Sequence, residues 1–255
     1  MPFTLAHPAA VLPPRGVRAL RTAPLILGAL VPDTAYYLPE RLARPLARNH
    51  TVHGSYTSCV VLGYVLLAAL CLLRRPLTAL LSARARALCL EALAPFLRSV
   101  RAWVLAAPAF VLGAWTHLLW DSFTHPDGWM VHRFAVLSRT VAIGAYESTL
   151  CHLLQYLSSV LGLGVLAFWY LRLPVPPDRG GAARRARDPM GPQLLLVATA
   201  AVVIGGVQAT EYFGHSTINY RSLDYFLRHT LAWFALLYIV AGALVTLDRE
   251  PARGA

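Results

Sequence analysis

The chain has 255 residues, of which 57% are hydrophobic and only 14% charged, against roughly 25% charged in ordinary soluble domains. A mean hydropathy of +0.53 excludes a typical soluble enzyme and points to a membrane protein. The net charge of +11 comes from 23 arginines, with no lysine, against 12 acids; because they punctuate apolar runs, bilayer anchoring explains them better than nucleic acid, and no nucleic-acid partner is expected.

The first segment, Phe3 to Leu20, is short in apolar residues and interrupted by Pro8, Pro13 and Pro14, which predicts a kinked, tilted or re-entrant helix protected by its neighbours. Its start lacks the basic region and small-residue cleavage site of a signal peptide. Ala23 to Leu38 is apolar but carries Pro32 and Asp33 toward its end, as expected of a spanning helix with a polar mouth. Five further stretches approach the about 20 apolar residues that a crossing requires: Thr57 to Leu73, Trp103 to Trp120, Leu150 to Leu171, Gln193 to Phe213 and Thr230 to Leu247. The fold class expected is therefore all-α, a polytopic helical membrane protein with about six spanning helices plus a short N-terminal helix. Residues 1–172 form the main membrane domain, 173–192 a Pro/Gly/Arg-rich linker, and 193–247 two further membrane helices. Cys59, Cys71, Cys89 and Cys151 are widely spaced without a CxxC pair and read as small core hydrophobes.

Arginine placement gives an orientation. With a descending first segment and an ascending second, 16 of the 23 arginines fall on one side and seven on the other, which the positive-inside rule assigns to the cytoplasm and the outer face respectively. His7, Asp33, His50, His53, Asp121 and His125 then all lie toward the outer face. Ionisable groups within a membrane are expensive, so their gathering at one depth signals function.

The strongest local motif is GAWTHLLWDSFTHPDGW, residues 113–129. His117 and Asp121 are four apart, which places them on one helical face, and Pro126 disfavours helix at His125, leaving it to cap that face. Imidazole and carboxylate are ligands accepted by zinc, manganese and iron(II); alternatively His117 bonds a neighbouring helix and the acids mark the water interface. In NHTVHGS, residues 49–55, His50 and His53 could share a metal on a helical turn, or simply be loop histidines. GALVPD, residues 28–33, ends an apolar helix with a carboxylate. Glu147, Glu211, His215, Asp224 and His229 read more simply as interface polar groups.

Together MPFTLAHPAAVLP, GALVPD, the His-Thr-x-x-Gly of His50 to Gly54, THLLWDSFTHPDGW and QYLSSVLGL (155–163) resemble the bacterial integral-membrane family known as domain-of-unknown-function family 4184, over about residues 1–172. That family is similar in turn to membrane-bound metal-dependent hydrolases. The resemblance implies a divalent metal, zinc foremost with manganese or iron as alternatives, held by His7, Asp33, His50, His117, Asp121 and His125, while His53 has no counterpart. It also implies a bacterial inner-membrane protein embedded in the lipid bilayer, and the arginine placement puts its site toward the outer face. The function expected is hydrolysis of an ester or phosphoester at the membrane interface, on a lipid-linked or small ester substrate. Asp121 or Asp33, whichever is not a ligand, would accept the proton. The rival reading is a non-catalytic ion-binding transporter or membrane assembly factor using the same residues.

Overall fold

A computed structural model describes residues 4–12, 22–38, 40–143, 146–174, 191–213 and 220–248. The chain divides into two compact units, residues 1–67 with 99–173 and residues 68–98 with 174–255. The principal helices are α1 (Thr22–Leu30), α2 (Val52–Tyr56), α3 (Ser58–Leu72), α4 (Arg74–Ala79), α5 (Ala83–Leu93), α6 (Ala106–Thr124), α7 (Leu150–Arg172), α8 (Gly191–Phe213) and α9 (Tyr220–Asp248). The chain is helical throughout most of its length, as its composition predicts.

Four helical stretches among the described residues are long and apolar enough to cross a membrane: Val100–Thr124, Leu150–Arg172, Pro192–Tyr212 and Tyr225–Asp248. The other two expected spans form shorter pieces. Ser58–Leu72 is a 15-residue apolar helix, about 22 Å long at the usual rise. The stretch from Ala23 to Leu38 is not one helix: α1 ends at Leu30 and Val31–Tyr37 continues as a 3-10 helix. Pro32 has no N–H to continue the α-helical ladder, and the chain tightens there. Thr4–Val11 is likewise a 3-10 helix with Pro8 inside it.

A small antiparallel hairpin, β1 (Thr140–Ile143) with β2 (Tyr146–Thr149), interrupts the helical pattern, Thr140 pairing with Thr149. Its residues are mainly β-branched or aromatic, which favours a pleated pair over a helix.

Within the first unit, α1 packs on α6 through two glycines. A Cβ on Gly28 would overlap the Phe110 carbonyl, and one on Gly113 would overlap the Leu25 carbonyl. Such close backbone approach is how membrane helices associate without a hydrophobic driving force. Val31, Cys59 and Ala114 form a buried cluster beside it, with Leu62 and Leu66 packed against them. In the second unit α8 packs on α9, Gly205 lying against Thr230, and the Tyr238 hydroxyl donates to the Leu77 carbonyl at 2.8 Å. Cys59, Cys71 and Cys151 are buried free thiols, whereas Cys89 is free and exposed.

Candidate metal centre

The α1–α6 contact sets the spacing of the centre. It carries Asp33, three residues past the end of α1, to the face of α6 that holds His117 and Asp121, one turn apart. The loop bearing His50 is fixed from both sides. Asn49 is fully buried, its amide reaching the Val31 carbonyl at 3.5 Å and its side-chain oxygen accepting from Ser58 at 2.6 Å. Thr51 then caps α2 by accepting from the Gly54 N–H, the N-cap role that suits threonine. Gly54 is needed because a Cβ there would overlap the Arg48 carbonyl, and Trp115 ties α2 to α6 through the Ser55 hydroxyl at 2.8 Å.

Asp33, His50, His117 and Asp121 each offer a ligand atom, and these atoms lie within 4.8 Å of one another. His50 Nε2 is 3.1 Å from Asp33 Oδ1 and 3.6 Å from Asp121 Oδ2. His117 Nε2 is 3.4 Å from Asp33 Oδ1 and 3.1 Å from Asp121 Oδ2. Tetrahedral ligands about 2.0 to 2.1 Å from a zinc-like ion are themselves about 3.3 to 3.4 Å apart, so these separations bracket those of a filled site.

The state of His117 is the sharpest detail. Its Nδ1 lies 2.7 Å from the Ala29 carbonyl; a carbonyl only accepts, so Nδ1 carries the proton. Nε2 is fully buried, faces two carboxylates, and has no hydrogen-bond partner. A buried nitrogen set between two anions calls for positive charge there, and a ring whose second nitrogen donates to a backbone carbonyl is the usual arrangement of a metal-ligating histidine. Donor set, spacing and orphaned nitrogen all fit a divalent ion.

Asp121 turns its two oxygens to different partners. Oδ2 faces His117 and His50, while Oδ1 is 3.5 Å from both His7 Nε2 and His125 Nδ1 and is buried without a hydrogen bond. His7, on the N-terminal 3-10 helix, stacks on His117 with centroids 3.8 Å apart. His125 follows the last residue of α6 in extended conformation, as Pro126 requires, and its Nε2 lies 3.3 Å from the Gln155 amide nitrogen. Burial holds the His125 imidazole below its ordinary pKa, against the opposing pull of the Asp121 carboxylate.

All six residues singled out in the sequence thus meet in one place. His53 does not: it is exposed, with Nδ1 3.2 Å from the Tyr56 hydroxyl. Of the weaker candidates, Glu211 is exposed and His229 Nδ1 bonds the Tyr225 carbonyl at 2.9 Å. His215 and the side chains of Glu147 and Asp224 lie outside the described residues. The sequence reading missed Thr4, whose hydroxyl donates to Asp33 Oδ2 at 2.6 Å while standing 2.8 Å from the Tyr37 hydroxyl. With its own proton committed to Asp33, Thr4 accepts from Tyr37, and the relay fixes the carboxylate. The only available signal was the three-residue spacing of Thr4 and His7 on one 3-10 turn.

The family described as "Domain of unknown function (DUF4184)" matches residues 1–247, reaching past the helices of the first unit to nearly the end of α9. No curated protein matches the chain, and no solved structure does.

Proposed function

The chain belongs to the DUF4184 family, whose description carries no activity, so its chemistry must be read from its own side chains; we propose a membrane-embedded, metal-dependent hydrolase acting on an ester or phosphoester at the membrane interface. The observation that carries this reading is His117, with Nδ1 bound to the Ala29 carbonyl and Nε2 buried and unbonded between Asp33 and Asp121. Asp33, His50, His117 and Asp121 would hold the ion, zinc foremost, with manganese or iron as alternatives. A divalent ion held there supplies a Lewis acid for an acyl or phosphoryl oxygen and a water acidic enough to be a nucleophile at neutral pH. His125 is partly exposed and stands outside the four residues that would hold the ion, so it is suited to move a proton at Nδ1 or Nε2. His7 braces the His117 ring and closes the far side of Asp121.

In the bilayer, α3 and the α1–3-10 pair would serve as two short crossings in addition to the four long ones. The arginine asymmetry supports an inner-membrane orientation with the site toward the outer face.

Elemental analysis of detergent-purified protein, together with turnover on a panel of phospho- and carboxyl esters, tests the reading. Stoichiometric divalent metal and cleavage of at least one ester class are expected. Stoichiometric metal without cleavage would favour the ion-binding transporter or assembly factor, and absence of metal would overturn both.

A further inference from the structure

A groove of about 770 Å³ opens beside the cluster, between the N-terminal 3-10 helix, α6 and α7. That volume falls in the range of sites that hold small organic ligands. Its walls are Leu119, Trp120 and Phe123 from α6 and Leu157 and Leu161 from α7, with alanines of the 3-10 helix at its back. The back wall is close to α7, since a Cβ on Gly162 would press on Ala6.

The hydroxyls lining the groove have their protons committed elsewhere. Thr116 donates to the Gly113 carbonyl, Ser158 and Ser159 to that of Gln155, and Thr124 to that of Trp120. The Trp120 indole N–H in turn donates to Ser158. A polar ligand would find almost nothing to bond. His7 also lines the groove, and its Nε2 is 3.5 Å from Asp121 Oδ1, so one imidazole joins the apolar groove to the carboxylate cluster. Both long walls belong to helices of spanning length, and the surrounding medium is therefore hydrocarbon.

We infer that this groove takes one alkyl chain of a membrane lipid and brings the ester bond at the end of that chain to the His/Asp cluster. The substrate is then a lipid ester rather than a water-soluble one. This rests on the hydrolase reading for the reaction but not for the binding. In the reaction, water adds hydroxyl to the acyl carbon or phosphorus as the ester C–O or P–O bond breaks, and the departing alkoxide takes the remaining proton.

The test uses full-length protein in detergent and a palmitic acid bearing a diazirine on its chain, with labelled residues mapped by mass spectrometry. Labelling at Leu119, Phe123, Leu157 and Leu161 is expected to saturate and to be competed by unlabelled palmitic acid. Leu157→Trp and Leu161→Trp alter side chains that are more than half exposed, where folding tolerates bulk. Each should cut the saturable labelling about tenfold or more, as overfilling an apolar site does. Labelling that never saturates, or that both variants leave unchanged, overturns the groove. Cleavage of p-nitrophenyl palmitate and acetate, followed in parallel, separates the two ideas. Saturable labelling without cleavage of either ester, or of any phosphoester in the panel, sustains the groove and removes the hydrolase. Cleavage of both with the same kcat/KM in wild type and Leu161→Trp sustains the hydrolase and removes the groove.

Discussion

Asp121 stands where two histidine pairs meet, one facing each of its oxygens, so its charge rather than its shape is what the centre requires. Asp121→Asn keeps the size and removes the charge, and hydrolysis should be abolished. Metal content of the same variant then tells ligand from proton acceptor, being lost in the first case and retained in the second. Thr4→Val keeps the shape but leaves Asp33 Oδ2 and the Tyr37 hydroxyl without their shared partner; metal affinity should fall about 10 to 100-fold, the usual effect of losing an orienting neighbour. His53→Ala should leave both metal and turnover unchanged. Protons compete with an ion for imidazole nitrogen, so metal content should fall as pH drops through about 7 to 5, where histidines charge. Burial favours the neutral form of His125, which therefore resists protonation as the pH falls. Metal content that stays flat through that range would argue against imidazole ligands. His117, Asp121 and His125 were legible in the sequence because a four-residue interval on one helix is itself geometry. Thr4, Asn49 and Gln155 were not, since hydroxyl and amide side chains are common and acquire meaning only from the distant group they reach.

The glycine contact between α1 and α6 does for the elements what Thr4 does for Asp33. Gly28→Leu would drive a side chain into the Phe110 backbone, where nothing flexible can yield. Thermal unfolding in detergent should show a loss of about 3 kcal/mol or more, at the upper end of overpacking costs, and bound metal should disappear with it. Leu112→Ala, on an exposed part of the same helix, should do neither. The sequence made the existence of these helices plain through their apolar runs. It left the conversion from α to 3-10 at Val31 unseen, because Pro32 marks a break without dictating the form that follows. The β1–β2 hairpin escaped for a related reason: four-residue strands between helices are too short for a periodic signal.

For the whole molecule, the arginine distribution predicts that residues 121–149 and 173–192 lie on opposite sides of the membrane. Single cysteines placed in each, in a background lacking Cys59, Cys71, Cys89 and Cys151, should label from opposite faces with an impermeant maleimide. Labelling from the same face would show that the number of crossings between them is even. The outline of the molecule was readable from composition, whereas the packing of its helices depended on glycine contacts that no single-sequence pattern declares. Thr4 and His7 are synthesised shortly before their neighbour Asp33, yet their partners His117 and Asp121 follow more than about a hundred residues later. Until α6 has been inserted, the Thr4–Val11 turn has no acid pair to join, and the early membrane intermediate holds Asp33 without His117 beside it. Ion capture would therefore be a late event of maturation that secures the Thr4–Val11 turn against a helix made long afterwards, so starvation for metal during synthesis should leave that turn open to protease while the later helices are already in place.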